Sequence, residues 1–472
     1  MNQLAPNPAP RPTANRFPPQ IKFIVGNEAC ERLSYYGMLS ILTLYMKNAL
    51  GMAPEEAKGT VHLFKMAVYF LPLFGGWLAD RWLGRYWTIL SISLFYCLGH
   101  GVLALWEGSL AGLYTGLLLI AIGAGGIKPC VSAFVGDQFG PEQQSLLPKV
   151  YGLFYWSINL GAFIAFAGIP LVRDHLSYSW AFGVPGIFMA LATLVFWIGT
   201  PHYARQPAAR ETKQSGFLPV VWTALTHSSG RRAGESWLDA ARARHSPAEV
   251  NAAKAVVRIT VIFAAVPVFW ALFDQINTTW VLQGEKMTSF AVLGYKVDAE
   301  RIQSVSALLV LAWIPVLTLG VYPLCERLGL RPTPLRRMGA GMVLGAVAFV
   351  LCGWIQSRMD QGHTLSLAWQ IIPYVFLEAG EVMLSATGLE FAFSQAPASM
   401  KSTIMSLWLM TVAVGNLLVA SFTKLNQDLV KASGATEFYF YALLMFVVAG
   451  VFALLALRYR EPGRQSGDFK TR

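Results

Sequence analysis

Twelve long apolar segments dominate this chain of 472 residues, and they constrain its fold more than any other feature. A helix that crosses a bilayer needs about 20 mostly apolar residues. Each segment must be helical, because lipid offers no hydrogen-bond partner to a free backbone group. The predicted spans are residues 21–48, 57–79, 86–106, 110–134, 150–170, 180–200, 257–284, 302–325, 335–356, 366–394, 402–424 and 437–458.

The composition supports a membrane protein and excludes two other classes. Hydrophobic residues make up 55% of the chain and charged residues 13%, whereas soluble domains carry about 25% charged residues. The shortage of charge excludes an ordinary soluble protein, and the high hydrophobicity excludes a disordered chain. The five cysteines form no C-x-x-C pair, so we expect neither a disulfide framework nor a zinc site.

A polar segment divides the spans into two sets of six. It covers residues 201–256 and predicts a cytoplasmic linker between an N-terminal bundle at 21–200 and a C-terminal bundle at 257–458. Basic residues are concentrated in this linker, in alternate loops and near both chain ends, which the positive-inside rule places in the cytoplasm. We therefore expect a multi-pass protein of the cell membrane with cytoplasmic tails at 1–20, which is flexible, and 459–472. Loop placement explains most of the net charge of +11 without a nucleic-acid partner.

Two sets of six helices with both ends on one side resemble the major facilitator architecture. We predict an all-α polytopic membrane protein of this fold, with 12 transmembrane helices in two pseudo-symmetric six-helix halves. Transporters built from such repeats hold their ligand near the bilayer midplane, between the halves. Charged residues inside the spans therefore indicate where such a site lies.

Three charged residues lie within five positions of the first span. Glu28, Glu31, Arg32 and Tyr35 recur at spacings of three and four, and Tyr36 extends the same helix face. A charge facing lipid costs at least about 2.5 kcal/mol at a helix centre, so this face must line a wet cavity or a polar helix contact. One arginine cannot neutralise two carboxylates, so one glutamate is a candidate proton site. A structural ion pair between helices is the alternative.

Two further spans of the first half contain ionisable residues. His62, Lys65 and Tyr69 share one face of the second span. A neutral, hydrogen-bonded histidine is the structural alternative at His62, whereas a lysine at this depth needs a partner. Lys128 lies in the fourth span and is either a partner for the first-span glutamates or an anchor for an anionic ligand.

The second half carries acids where the first half carries bases. Asp274 lies in the seventh predicted span, and Glu378 and Glu381 lie three residues apart in the tenth. The first half contributes Arg32 and Lys128. A ligand with an anionic end and a cationic end would fit between the two halves.

These residues lie in motifs that resemble the proton-coupled oligopeptide transporter family (POT, or PTR) over residues 21–458. The run from Glu28 to Gly37 is similar to the family's E-x-x-E-R-F-x-Y-Y-G, with Leu33 at the usual Phe. Other similar runs are Gly123–Phe139, Phe154–Gly161, Phe269–Gln275 and Gly380–Phe391.

The resemblance implies a proton-coupled symporter that imports di- and tripeptides by alternating access. It implies no enzymatic activity and no cofactor, with protons as the coupling ion. By resemblance, the proton-coupling residues are Glu28, Glu31, Arg32, His62 and Asp274, with Asp274 expected to pair with Arg32. The implied substrate-binding residues are Arg32, Tyr35, Tyr36, Tyr69, Lys128, Tyr155, Asn159, Trp270, Glu381 and Trp408.

Each charged substrate-binding residue has an implied role. Arg32 and Lys128 would bind the peptide carboxylate, and Glu381 would bind the amino terminus. The loop after the second span resembles a superfamily motif and implies gating by Asp80, Arg81 and Arg85. We expect the chain to work as a monomer in the lipid bilayer.

The chain also departs from the family's motifs. Leu39 stands where many members have a basic residue, and Ser306 stands where an Asn is common in the eighth span. Lys65 and Glu378 lie outside the motifs. The same fold carrying nitrate or another small anion, as in plant relatives, stays open as an alternative, although Glu381 suits an amine better than an anion.

Overall fold

The computed structural model describes residues 16–205, 216–227, 235–395, 397, 400–426 and 433–459. The predicted tails at 1–20 and 459–472 lie mostly outside these residues, and so do parts of the predicted linker. The boundaries predicted for the tails and the linker therefore stay predictions. The described chain is almost entirely helical, apart from an antiparallel hairpin of β1 (Phe290–Val292) and β2 (Tyr295–Val297).

Seven α-helices build the first half of the described chain. They are α1 (Ile21–Leu44), α2 (Pro54–Phe70), α3 (Pro72–Leu78), α4 (Gly84–Leu105), α5 (Leu110–Asp137), α6 (Leu147–His175) and α7 (Tyr178–Ile198). A π-helical turn at Tyr45–Ala49 extends α1, and another at Ala79–Leu83 follows α3. Gly84 then has a φ of 75°, a left-handed conformation that glycine adopts without steric cost, and the chain turns into α4.

Among its described residues, the linker region contains one short α-helix and a 3₁₀ helix at Trp237–Ala243, and nine α-helices follow. In chain order they are α8 (Phe217–Thr226) in the linker, then α9 (Pro247–Phe263), α10 (Val266–Phe273), α11 (Thr279–Gly284), α12 (Gln303–Pro315), α13 (Tyr322–Arg327), α14 (Pro334–Asp360), α15 (Ile371–Gln395), α16 (Lys401–Leu425) and α17 (Ala435–Arg458). A capping box, in which Ser246 and Glu249 bond each other's backbone N–H, begins α9. A π-helical stretch at Val316–Val321 joins α12 to α13.

The described helices account for twelve membrane crossings. Nine are long and apolar enough to span a bilayer, and α9 with the following helices forms a tenth candidate, bent by 43°. One of the nine, Pro54–Leu105, has 52 residues and would measure about 78 Å if straight, so it makes two crossings. The segment Ile21–Ala49 completes the set, although Glu28, Glu31 and Arg32 interrupt its apolar surface.

The seventh predicted span, 257–284, is wrong as a single helix. The chain is already helical from Pro247, bends between α9 and α10, and then forms a 3₁₀ turn at Asp274–Asn277. The side chains of this 3₁₀ turn explain why a regular helix does not continue through it. Asp274 and Asn277 bind polar groups of other helices, so the chain follows these contacts rather than regular helix geometry.

Each half has its own buried core. One core draws its residues from 21–203 and includes Tyr96 and Phe182, and the other draws them from 220–452 and includes Trp280 and Phe349. The halves meet where α2 packs along α16 and α6 packs along α12. This arrangement confirms the predicted all-helical architecture of two halves.

Pairs of glycines bring helices together within each half. A Cβ added to Gly75 on α3 would lie 2.5 Å from the carbonyl oxygen of Gly126 on α5. A Cβ added to Gly341 on α14 would lie 2.6 Å from the carbonyl oxygen of Gly380 on α15. Neither separation leaves space for a side chain, so these helices touch through their backbones.

Candidate functional site

The first part of the site is a charged face on α1. Arg32 Nε lies 2.8 Å from Glu28 Oε1 and 2.6 Å from Glu31 Oε2. All three residues are buried. Glu28 and Arg32 are four positions apart, which places them on one face of the helix, and the Arg32 guanidinium also reaches the neighbouring Glu31. One cation therefore faces two carboxyl groups, as the sequence predicts.

Lys128 on α5 contacts the same face through aromatic rings. Its Nζ lies 4.7 Å from the ring centroid of Tyr35 and 4.1 Å from that of Tyr69. These are cation–π distances. The Nζ has no hydrogen-bond partner among the described residues, so its three N–H donors are available to a ligand. The aromatic rings hold the ammonium without using those donors.

A polar network connects the halves beside this face. Lys65 on α2 lies 2.5 Å from Asp274 Oδ1 and 2.6 Å from Asn277 Oδ1. Asn416 on α16 donates to the other Asp274 oxygen at 2.5 Å. The expected pairing of Asp274 with Arg32 is therefore wrong. Arg32 is already held between its two glutamates, and Lys65 reaches Asp274 instead.

His62 belongs to the same network through neutral partners. Its Nδ1 lies 2.8 Å from Asn416 Oδ1, and its Nε2 lies 3.0 Å from Thr278 Oγ1. Both ring nitrogens are thus occupied by groups of the second half. The structure places His62 beside Asp274 and Lys65 as a buried contact between the halves, and its predicted part in proton coupling stays a prediction.

Glu381, an acid of the second half, lies near tyrosines of the first half. Glu381 is partly buried on α15, and its Oε2 atom has no hydrogen-bond partner among the described residues. Tyr155 on α6 lies within electrostatic range of this carboxyl group. Tyr36 on α1 lies within range of both Arg32 and Glu381. Arg32 of the first half and an acid of the second half therefore both lie within electrostatic range of one tyrosine.

The remaining predicted substrate residues lie on helices around this region. Asn159 Nδ2 donates to the carbonyl of Tyr155 at 3.0 Å. The rings of Trp270 on α10 and Trp408 on α16 are 6.4 Å apart, and both residues are largely buried. A Cβ on Gly388 would lie 2.1 Å from the Trp408 ring, so only a glycine fits there.

The predicted gating residues lie at the other end of the first-half helices. Asp80 and Arg81 are exposed in the π-helical turn. Arg85 Nη1 lies 2.6 Å from both carboxyl oxygens of Asp137 at the end of α5. Sequence reasoning missed Asp137 as a functional candidate, although its run Gly136–Phe139 is among the matching motifs.

Four ion pairs join the halves at the end of the bundle where α1 ends and α2 begins, which we call the paired end. Each pair connects a residue before 205 with one after 235, in the part of the chain that the structure describes. The pairs are Lys47–Glu285, Lys58–Glu437, Arg173–Glu300 and Asp174–Arg301. The two halves are therefore held together at this end.

Glu300 makes the paired end sensitive to pH. Burial raises the pKa of this loop carboxyl to about 8, although Arg173 beside it acts in the opposite direction. A glutamate in water titrates near 4.3. Glu300 in this buried position therefore binds a proton more tightly than it would in water, and its burial is favoured as the pH falls below 8.

Sequence reasoning left several residues of the network without a role. Lys65 was visible as a lysine three positions after His62, but its partner lies 209 residues further along the chain. Asn277, Thr278 and Asn416 gave no signal, since single polar residues in apolar spans are common. Only the packing of α2 against the second half brings them together.

Comparison with known proteins gives the family. The family model described as PTR2, the POT family, matches residues 86–437. The chain is 40% identical to Peptide transporter family 1 of Drosophila melanogaster over 379 residues, which is 76% of this chain and 49% of that protein. It is 28% identical to Solute carrier family 15 member 2 of Danio rerio, over 96% of this chain and 92% of that protein.

Solved structures agree with the sequence comparisons. A crystal structure of an auto inhibited POT family peptide transporter has a TM-score of 0.88 and 40% identity, covering 95% of this chain and 99% of that one. By contrast, the chain spans about half the length of curated relatives such as the Drosophila protein. The matched region covers parts of both helical halves and includes Lys128, Asp274 and Glu381. The chain belongs to the POT family.

Proposed function

We propose that this protein is a proton-coupled symporter that imports di- and tripeptides by alternating access. One observation carries the proposal: Tyr36 lies within electrostatic range of both Arg32 of the first half and Glu381 of the second. A peptide zwitterion presents a carboxylate to the first half and an ammonium to the second. Relatives named as peptide transporters support this assignment.

Proton coupling rests on the charge imbalance of α1. Arg32 balances one of the two carboxylates, Glu28 and Glu31. A proton that binds to one carboxyl leaves a balanced ion pair, and a second proton frees the guanidinium for the carboxylate of the peptide. Movement of a proton into the cell supplies about 2.3 kcal/mol per 100 mV of membrane potential.

The same proposal includes the protein's location, orientation, oligomeric state and coupling ion. The protein lies in the cell membrane with both termini in the cytoplasm, so the paired end faces outward. It works as a monomer, with protons as the coupling ion, without a bound cofactor and without enzymatic activity. Nitrate as an alternative substrate gains no support from the relatives named above for their substrate, which are peptide transporters.

Uptake into proteoliposomes tests the coupling. Replacing Glu28 or Glu31 with Gln is expected to abolish proton-driven uptake of di-alanine in at least one variant while peptide counterflow continues, because counterflow needs binding but no proton gradient. Glu56→Gln, at an exposed position on α2, is the control. Survival of driven uptake in both variants would contradict the assignment, and inhibition by nitrate instead of di-alanine would favour the anion alternative.

The role of Glu381 is tested with the substrate rather than with the gradient. We expect wild-type protein to select di-alanine over N-acetyl-di-alanine, which lacks the ammonium group. Glu381→Gln should reduce this selectivity about tenfold or more, since the contribution of a charge-assisted hydrogen bond is roughly 1.5–3 kcal/mol. The selectivity is measured by competition between the two compounds in peptide counterflow. Equal selectivity in both proteins would show that the amine binds elsewhere.

A further inference from the structure

Glu378 is a buried acid for which the transport scheme above gives no role. It lies on α15, three residues before Glu381, and is 0% exposed. Neither carboxyl oxygen has a hydrogen bond of normal geometry, and no cation among the described residues forms an ion pair with it. Buried polar groups normally have partners, so this carboxyl needs an explanation.

Among the described residues, the groups around Glu378 offer no positive charge. Glu381 and Tyr374 lie on the same helix, and Tyr155 faces them from α6. The Ser306 hydroxyl lies beside the carboxyl from α12. A carboxylate at this depth without a cation is costly. The surroundings therefore suit a carboxyl group that carries a proton.

Two departures from the family's motifs meet at this point. Ser306 stands where an Asn is common, and Glu378 lies outside the motifs, yet the two side chains are neighbours across the contact between α12 and α15. The two departures therefore form one local feature.

The position of Glu378 along α15 places it toward the paired end. This helix begins there at Ile371, and each residue advances about 1.5 Å. Glu378 thus lies about 4.5 Å nearer the paired end than Glu381 does. When the paired end opens, water reaches Glu378 before or together with the amine-binding carboxyl.

We propose that Glu378 is a second proton-binding residue of the transport cycle, so that each peptide enters with one proton more than the α1 site alone would carry. The proposal rests on the proposed function of the same site. A proton from outside water binds to the Glu378 carboxylate while the paired end is open. It stays on the carboxyl while that group is buried, and it leaves to water on the cytoplasmic side.

The test is the proton-to-peptide ratio in proteoliposomes. A peptide gradient is balanced against a set membrane potential and pH, and the null point gives the ratio. We expect Glu378→Gln to lower the ratio by one proton per peptide while peptide counterflow continues. Glu378→Asp keeps a carboxyl group and should keep the wild-type ratio. Glu326→Gln, exposed on α13, is the control.

The outcomes separate this proposal from the proposed function. An unchanged ratio in Glu378→Gln, with counterflow intact, overturns the second proton site and leaves peptide symport standing. Absence of peptide counterflow in the wild type overturns peptide transport itself. If Glu378→Gln fails to fold, a wild-type ratio no higher than that of relatives with an apolar residue at this position overturns the proposal.

Discussion

The two charged regions of the site differ in how their charges are balanced. On α1 of the first half, Glu28 and Glu31 both contact Arg32. On α15 of the second half, Glu378 and Glu381 have no cation within ion-pair distance in the described chain. Two carboxyl groups lie on one helix in both cases, but among the described residues only the first pair has a cation as its partner.

This difference indicates what each region does. A carboxylate that is paired with a cation is already stable. Its ion pair changes when a proton or a competing anion binds. A carboxyl group without one must take its positive charge from outside the protein, as a proton or as the ammonium of a ligand. The charged residues of the first half are therefore suited to exchanging one bound charge for another. The carboxyl groups of the second half are suited to binding a proton or the ammonium group of a ligand.

The largest expected effect comes from removing the cation of the first half. Arg32→Ala leaves two buried carboxyl groups without a partner, which should lower the free energy of unfolding by about 3–5 kcal/mol. Thermal unfolding in detergent measures the loss, and Arg32→Lys, which keeps the charge, should lose less. A melting temperature equal to that of the wild type would show that the α1 charges are not balanced as described.

A smaller effect should appear where a cation of the first half meets an acid of the second. Lys65→Met and Asp274→Asn each remove one member of the buried pair. The double variant should recover part of the loss, with a coupling energy of about 0.5–3 kcal/mol. A double-mutant cycle of unfolding measures this energy, and a coupling of zero would contradict the Lys65–Asp274 contact.

The smallest expected effect has the opposite sign and lies in the second half. Glu378→Gln removes a carboxyl group that has no cation, so the free energy of unfolding should rise by up to about 1 kcal/mol. Unfolding at pH 8 measures this gain beside Arg32→Ala, which should destabilise. A loss at Glu378 as large as that at Arg32 would mean that a cation balances both regions.

Much of the fold follows from hydropathy. The predicted first span, 21–48, matches the observed helical segment Ile21–Ala49. The seventh span could not be predicted correctly, because its break at Asp274–Asn277 depends on partners from α2, α12 and α16. The β1–β2 hairpin joins two strands of three residues each, which are too short to give a periodic signal.

For the site as well, contacts within one helix could be predicted from the sequence, whereas contacts between helices could not. The face of Glu28, Glu31 and Arg32 was predictable, since spacing within one helix brings these residues together. The partner of Asp274 was not, because Arg32 and Lys65 are both cations at membrane depth and only the three-dimensional arrangement chooses between them. Residue spacing specifies contacts within a helix, whereas contacts between helices depend on packing.

The glycine contacts within each half have a mechanical consequence. Where Gly75 meets Gly126, and where Gly341 meets Gly380, the helices touch through backbone atoms. Such a contact has no side-chain rotamers that can change to absorb a displacement. The joined helices therefore move as stiff units, and sliding during the cycle is confined to surfaces lined by side chains, such as that between α2 and α16.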